Sequence, residues 1–426
     1  MMDFKTLPTG AFTLANVTVP ACLLGQDGDL IRTDISIAEG LIAPPQPMAI
    51  DMGGAMVLPA FVDMHTHLDK GHIWPRSPNP DGTFMGALTT VRADSAAHWS
   101  AEDLRPRMEF SLRAALAHGT RAIRTHLDSI PPQDDITWPL FREIQTEWAD
   151  RIALQGVNLI GCDAWTDDGG PFGHTADLVA ATKDGVLGMV TYPMPDLRAR
   201  IRGFLAQAEA RGLSVDFHVD ETMDPGVETL RDIAELVLET GFSSRVVVGH
   251  CCSLSAQDEA RAMDTLDLVA RAGLHVVSLP MCNLYLQDRT EPGTARTPRR
   301  RGLTLVHEMR DRGIPVSFAS DNTRDPFYAY GDMDMVEVMR EATRIGHLDH
   351  SRADWVTSFL TRPAETCGFA PPSLAPGAPA DLVIFKARAW SEFFARPQSD
   401  RVVLRNGIQI DRTLPDYDEL DDLMRT

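Results

Sequence analysis

Eight short runs of β-branched and apolar residues recur between residues 57 and 320, and the stretches between them carry apolar positions every three or four residues. A strand that feeds a helix and then another strand brings the chain back into the same sheet in the same direction, so this alternation specifies parallel strands joined by crossover helices. The expected strands are 57–64, 121–127, 152–160, 185–191, 213–219, 245–250, 273–279 and 314–320. Helical period is clearest in 102–117, 196–211, 226–240 and 256–272. Eight such units close into an α/β fold, a (β/α)8 TIM barrel. A doubly wound open sheet is the alternative, but no GxGxxG follows the first strand, which counts against its dinucleotide-binding form.

A barrel of this kind needs roughly 250 residues, and the chain has 426. The flanks account for the excess. Residues 11–56 alternate apolar and polar positions between Gly and Pro turns, and 380–387 and 401–410 repeat that style. Half-sheets at opposite ends most economically pair with each other. The expected division is therefore 1–56 and 371–426 forming one small composite β-sandwich beside a barrel of 57–370, with the acidic tail 416–426 as solvated surface.

Composition excludes several partners. With 60 Asp+Glu against 40 Lys+Arg the formal charge is -20, which opposes binding to a nucleic acid polymer or an anionic membrane. Six cysteines without a CxxC pair read as free thiols in a reducing compartment. The first residues lack the basic and apolar regions of a signal peptide, and no apolar run approaches membrane-spanning length, so a cytoplasmic protein is expected, as a homo-oligomer. Only four residues are lysines, Lys5, Lys70, Lys183 and Lys386, so a lysine at a site carries weight.

The chemistry sits where the strands are expected to end. His65 and His67 flank Thr66 at the end of the first strand, and residues i and i+2 of a strand share a face, so both imidazoles can reach one ion. The fifth strand ends at His218 with Glu221 three residues on, the sixth at His250 and the eighth at Asp321. Barrel active sites lie at the C-terminal ends of the strands, which brings these four ends to one place. Three histidines and a carboxylate around a divalent ion leave room for a water whose pKa the ion lowers toward neutrality, which points to a hydrolase. Zinc and ferrous iron both suit such ligands. A second ion would need a bridging group, often a carbamylated lysine on the fourth strand; that segment, GMVTYPMP, has none, so one divalent metal ion, Zn2+ or Fe2+, is expected.

The HTH pair, the His218/Glu221 HxxE, His250 and Asp321 resemble the amidohydrolase superfamily. The further stretches HLD (67–69), RTHLD (124–128), DFHVDE (216–221), NLYLQDR (283–289), RRGLTLVHEM (300–309) and SDNTRDPF (320–327) resemble its bacterial cytosine deaminase branch, across nearly the whole chain. That resemblance implies His65, His67, His218 and Asp321 as metal ligands. It implies Glu221 as the proton shuttle to a ring nitrogen, His250 as the group that orients the attacking hydroxide and Asp321 as acceptor of the water's proton. Ammonia leaves from an amidine carbon. His126, Asn283 and Gln287 either line the pocket or serve as an interior barrel layer and as loop hydrogen bonds.

Departures from that branch bear on the substrate. Gly161 stands where cytosine deaminases place a glutamine, and Gln155 lies too early in its strand. Asp163 is near enough to take over, and as an acceptor it favours a substrate with N–H donors or positive charge. Lys70 and Asn322 resemble relatives acting on N-substituted triazines, and a pocket lysine suits a substrate carbonyl or carboxylate. Lys70, Asp163 and Asn322 join the expected substrate contacts. The expected activity is hydrolytic deamination of a small cytosine-like amino heterocycle; the alternative is cleavage of another C–N bond, in an N-alkylamino-triazine or a cyclic amide, in the same site.

Overall fold

Eight parallel strands close into a barrel in the computed structural model, which describes residues 3–165, 170–290, 294, 296–352 and 354–425. They are β1 (Phe61–Thr66), β2 (Thr120–Asp128), β3 (Ala153–Leu159), β4 (Leu187–Thr191), β5 (Val215–Val219), β6 (Val246–His250), β7 (His275–Ser278) and β8 (Val316–Phe318). Ladders of parallel hydrogen bonds join β1 to β3 in sequence and β4 to β8 in sequence. Parallel bridges Val157–Val186 and Gly161–Val190 connect β3 to β4, and Thr66–Asp321 connects β8 back to β1. The return of β8 to β1 is what separates a TIM barrel from the open sheet.

Both faces of each strand are covered, which is why β5 and β6 are buried at every position and read as continuous apolar runs. The expected helices are present as Ala101–His118, Leu197–Ala210, Thr229–Thr240 and Glu259–Arg271. The first shows why the chain turns where it does. Ser100 accepts from the amide of Asp103, Glu102 and Asp103 lie at the positive end of the helix dipole, and Gly119 takes φ 98° to end it. A Cβ at Gly119 would also sit 2.6 Å from Val383 of the neighbouring sheet.

That neighbouring sheet draws on both ends of the chain. Its order is Ile408–Gln409, Val402–Arg405, Leu382–Phe385, Met56–Pro59, Phe12–Pro20, Leu30–Ala38 and Leu41–Ala43, with Ala49–Asp51 also on Phe12–Pro20. Strand period explains how one sheet serves two cores. Val57, Leu382, Ile384, Val402 and Leu404 pack into the small core of this sheet. Their alternating neighbours Met56, Leu58, Val383, Phe385 and Val403 join the main core around the barrel.

Two expectations are corrected. The run 57–64 is two strands: Met56–Pro59 pairs antiparallel with Leu382–Phe385, and the barrel strand starts at Phe61. Pro59 has no N–H to continue a ladder and Ala60 donates to the Asp381 carbonyl, so the chain changes sheets there, inside an apolar run whose period does not reveal it. The acidic tail is not simply solvated. Tyr417–Leu420 and Asp421–Met424 form short helices, Leu420 is buried, Arg113 pairs with Glu419, and the Arg324 guanidinium lies 4.0 Å from the Tyr417 ring centre. All six cysteines are free thiols. Among the described residues no helix is long and apolar enough to cross a membrane.

Candidate active site

Local backbone geometry turns the strand ends inward. Asp220, His250, Cys251 and Asp321 leave β5, β6 and β8 with φ of 49°, 68°, 51° and 66°. Left-handed backbone costs a residue with a Cβ free energy, and such strain gathers where side chains must be aimed. The buried Asp63 carboxylate accepts from the amide and hydroxyl of Ser320, which fixes the end of β8 against β1 beside Asp321.

The four expected metal ligands meet there. Asp321 Oδ1 lies 3.6 Å from His65 Nε2 and 3.2 Å from His67 Nε2, and His218 Nε2 lies 3.5 Å from His67 Nε2. One nitrogen from each of His65, His67, His126 and His218 falls within 4.8 Å of the others, as do ligand atoms of His65, His250 and Asp321. All are buried, yet both nitrogens of His65, Nδ1 of His67 and of His218, and both oxygens of Asp321 lack hydrogen-bond partners. Each such atom ordinarily costs about 1–3 kcal/mol. Burial holds His65, His67 and His218 well below the usual histidine range and pushes the Asp321 carboxyl up to about 8. Neutral imidazoles converging with an unpartnered carboxyl, which a bound cation would hold deprotonated, are the donor set that a divalent cation satisfies, so the residues fit a metal centre.

Glu221 and His250 stand beside this cluster and are tied together. Asn283 Nδ2 lies 3.0 Å from His250 Nδ1 and donates to Glu221 Oε1 at 3.4 Å, while His250 Nδ1 and Glu221 Oε1 are 3.5 Å apart. With the amide nitrogen toward Nδ1, His250 carries its proton on Nε2, the atom that has no other partner. Burial, and after it the charge of Asp321, raises Glu221 well above the ordinary carboxylic acid range. A protonated acid is the state a proton donor requires.

Lys70 is almost fully buried. Its ammonium is 2.7 Å from Asp128 Oδ1 and 5.4 Å from the centre of the Phe327 ring. Burial works against the charge, but Asp128 and Asp69 outweigh it and hold the pKa above the usual lysine range. Asp69 in turn accepts from the Asp128 amide, so HLDK just after β1 and RTHLD of β2 interlock.

At Gly161 an added side chain would meet the ends of two other side chains rather than backbone. A Cβ there would lie 2.4 Å from Asp163 Oδ1 and 2.9 Å from the Tyr192 hydroxyl, which donates to Asp163. The Asp163–Tyr192 pair thus fills the space into which a glutamine side chain would leave the backbone. Asn322 donates to Asp325 Oδ2 at 2.7 Å and accepts from the Cys282 thiol, so its amide holds the turn after β8. The Gln287 side chain hydrogen-bonds Cys252. His126 is fully buried, its ring centre 4.0 Å from that of His65. Asp69, Asp128, Tyr192 and the Arg124–Asp216 pair escaped sequence reasoning. For the pair the signal was a charged residue two positions before a site histidine on both β2 and β5.

Residues 162–411 match the family described as amidohydrolase family. The chain is 54% identical to a pterin deaminase of Rhizobium rhizogenes (strain K84 / ATCC BAA-868), over 98% of each chain. Among solved structures, 5-methylcytosine deaminase from Klebsiella pneumoniae with 5-fluorocytosine superposes with a TM-score of 0.78 at 23% identity, covering 95% of this chain and 98% of that one. N-isopropylammelide isopropylaminohydrolase from Burkholderia multivorans gives 0.73 at 24% identity, covering 94% and 98%. At those identities the two structures speak for the fold alone.

Proposed function

The chain belongs to the amidohydrolase family and is a hydrolytic deaminase of a heterocycle, and within that class we propose that it acts on pterins, the fused-ring 2-amino-4-oxopteridines. The support for pterin over cytosine itself is twofold: the likeness to a pterin deaminase extends over the full length, and the glutamine of cytosine deaminases is replaced by Gly161 with an Asp163–Tyr192 pair beside it.

The observation that carries deamination is the part-buried, raised acid Glu221 aligned by Asn283 with His250 at the edge of the ligand cluster. A single divalent ion, zinc or iron, held by His65, His67, His218 and Asp321 supplies, when bound, the Lewis acidity that makes water a nucleophile near neutral pH. Asp321 accepts a proton from the attacking water, and the Nε2 proton of His250 orients the water oxygen toward the amidine carbon. Glu221 gives its proton to the ring nitrogen beside that carbon and relays the next one to the exocyclic amine. The C–N bond breaks, ammonia leaves and a ring carbonyl remains, so water and pterin are converted to the 2,4-dioxo ring and ammonia. Lys70, fixed by Asp128, offers N–H donors to the oxo oxygen of the ring, and Asp163 accepts from ring N–H groups.

The test is ammonia release from pterin, isocytosine, cytosine and an N-alkylamino-triazine, by an enzyme stripped with chelator and reloaded separately with zinc and iron. Pterin turnover that is lost on stripping and restored by an ion is expected. Efficient turnover of cytosine with none of pterin would overturn the substrate, and release of an alkylamine in place of ammonia would overturn deamination.

A further inference from the structure

Beneath the ligand cluster runs a buried polar chain that the deamination steps do not use. Arg124 Nη1 donates to Asp216 Oδ2 at 2.8 Å and Arg124 Nε to Gln155 Oε1 at 2.7 Å; Gln155 Nε2 donates to the Cys367 carbonyl at 3.2 Å. The other oxygen of Asp216, Oδ1, points at His126 Nε2 across 3.5 Å and has no hydrogen-bond partner. Neither nitrogen of His126 has one, and His126, Asp216 and Arg124 are at most 1% exposed. An interior packing role does not explain a histidine here, because an apolar side chain would fill the space without leaving two polar atoms unpartnered. A substrate contact does not explain it either, since the residue is sealed from solvent and its ring lies against His65 and His218.

We propose that His126 is a further imidazole donor to the metal centre, oriented by an Arg124–Asp216 pair; the inference rests on the metal-centre reading above. Arg124 neutralises one oxygen of Asp216 and leaves the other facing His126 Nε2 across 3.5 Å, the nearest acceptor for a proton on that nitrogen. A histidine whose one nitrogen is held on a carboxylate has the other unprotonated and more basic, which is the arrangement that strengthens a metal ligand. His126 has a nitrogen within 4.8 Å of those of His65, His67 and His218, so it is already part of the donor set that an ion would meet. Asp216 is then a positioning residue that acts through His126.

Zinc affinity, measured by competition with a chromophoric chelator on the stripped full-length chain, tests this together with the visible absorption of the cobalt-loaded protein. His126→Ala should weaken zinc about 10–100-fold and change the cobalt bands. His126→Gln, which keeps most of the volume, carries the test should the alanine variant not fold by circular dichroism. Asp216→Asn should weaken zinc in the unaltered chain but add nothing in a His126→Gln background, a coupling that a purely structural role would not produce. Zinc affinity within twofold of the unaltered chain, with unchanged cobalt bands, would overturn the role of His126. An unaltered chain that binds neither zinc nor cobalt would instead overturn the metal centre itself.

Discussion

Replacement of Glu221 by Gln isolates the proton-transfer step from everything else in the site. Gln keeps the length and shape of the side chain, and its carbonyl can still accept from Asn283, which meets Glu221 Oε1 at 3.4 Å. What is lost is the labile proton that burial holds on the carboxyl. Positioned acid–base groups typically contribute about 10²–10⁴-fold in rate, so kcat should fall by about two to four decades, roughly 3–5 kcal/mol of transition-state stabilisation at 1.36 kcal/mol per decade. KM should stay within about threefold and the melting temperature within about 2 °C, because a neutral amide replaces an acid that burial already disfavours as an anion. The assay is coupled ammonia release at saturating pterin, with metal content by mass spectrometry and a thermal melt on the same preparations. A kcat within tenfold of the unaltered enzyme, with metal intact, would refute the shuttle. A parallel loss of metal and kcat would also refute it, since it would make Glu221 a ligand.

Other predictions follow from the same geometry. His65→Ala removes a proposed ligand that is 3.6 Å from Asp321 and should leave the purified chain with less than about a tenth of a metal equivalent; a full equivalent would remove it from the centre. Gly161→Gln must displace Asp163 Oδ1, 2.4 Å from the new Cβ, and should raise KM for pterin more than about tenfold; an unchanged KM would take the Asp163–Tyr192 pair out of substrate recognition. Acid stability should depend on Arg76. Burial opposes ionisation of Asp94 and Asp103, but the bonds from Arg76 and their neighbours outweigh it and depress both carboxyls below 3.8. Depressed carboxyls contribute stability above their unfolded pKa that is lost as pH falls through the folded values, so the melting temperature should drop steeply below about pH 4. Arg76→Met should lower stability at neutral pH and flatten that slope; an unaltered slope would show that the pair contributes nothing to it.

The sequence by itself determined the barrel and the chemical kind of its site. Strand and helix periods are local, so eight alternating units could be read directly, and polar side chains placed at strand ends need only the chain direction to be assigned to one rim. That His65, His67, His218, Glu221, His250 and Asp321 come together on one rim was legible for that reason. Tertiary structure decided whatever depends on neighbours distant in sequence. The change of sheet at Pro59 follows from where Leu382–Phe385 lies, and the docking of the acidic tail follows from Arg76, Arg113 and Arg324 waiting on other segments. Lys70, expected as a substrate contact, is also one half of a part-buried pair with Asp128, 58 residues away. His126 could be read as a pocket or an interior residue from β2 alone. Only closure of the barrel set it against His65 and opposite Asp216, because packing distances between strands are written in no single strand.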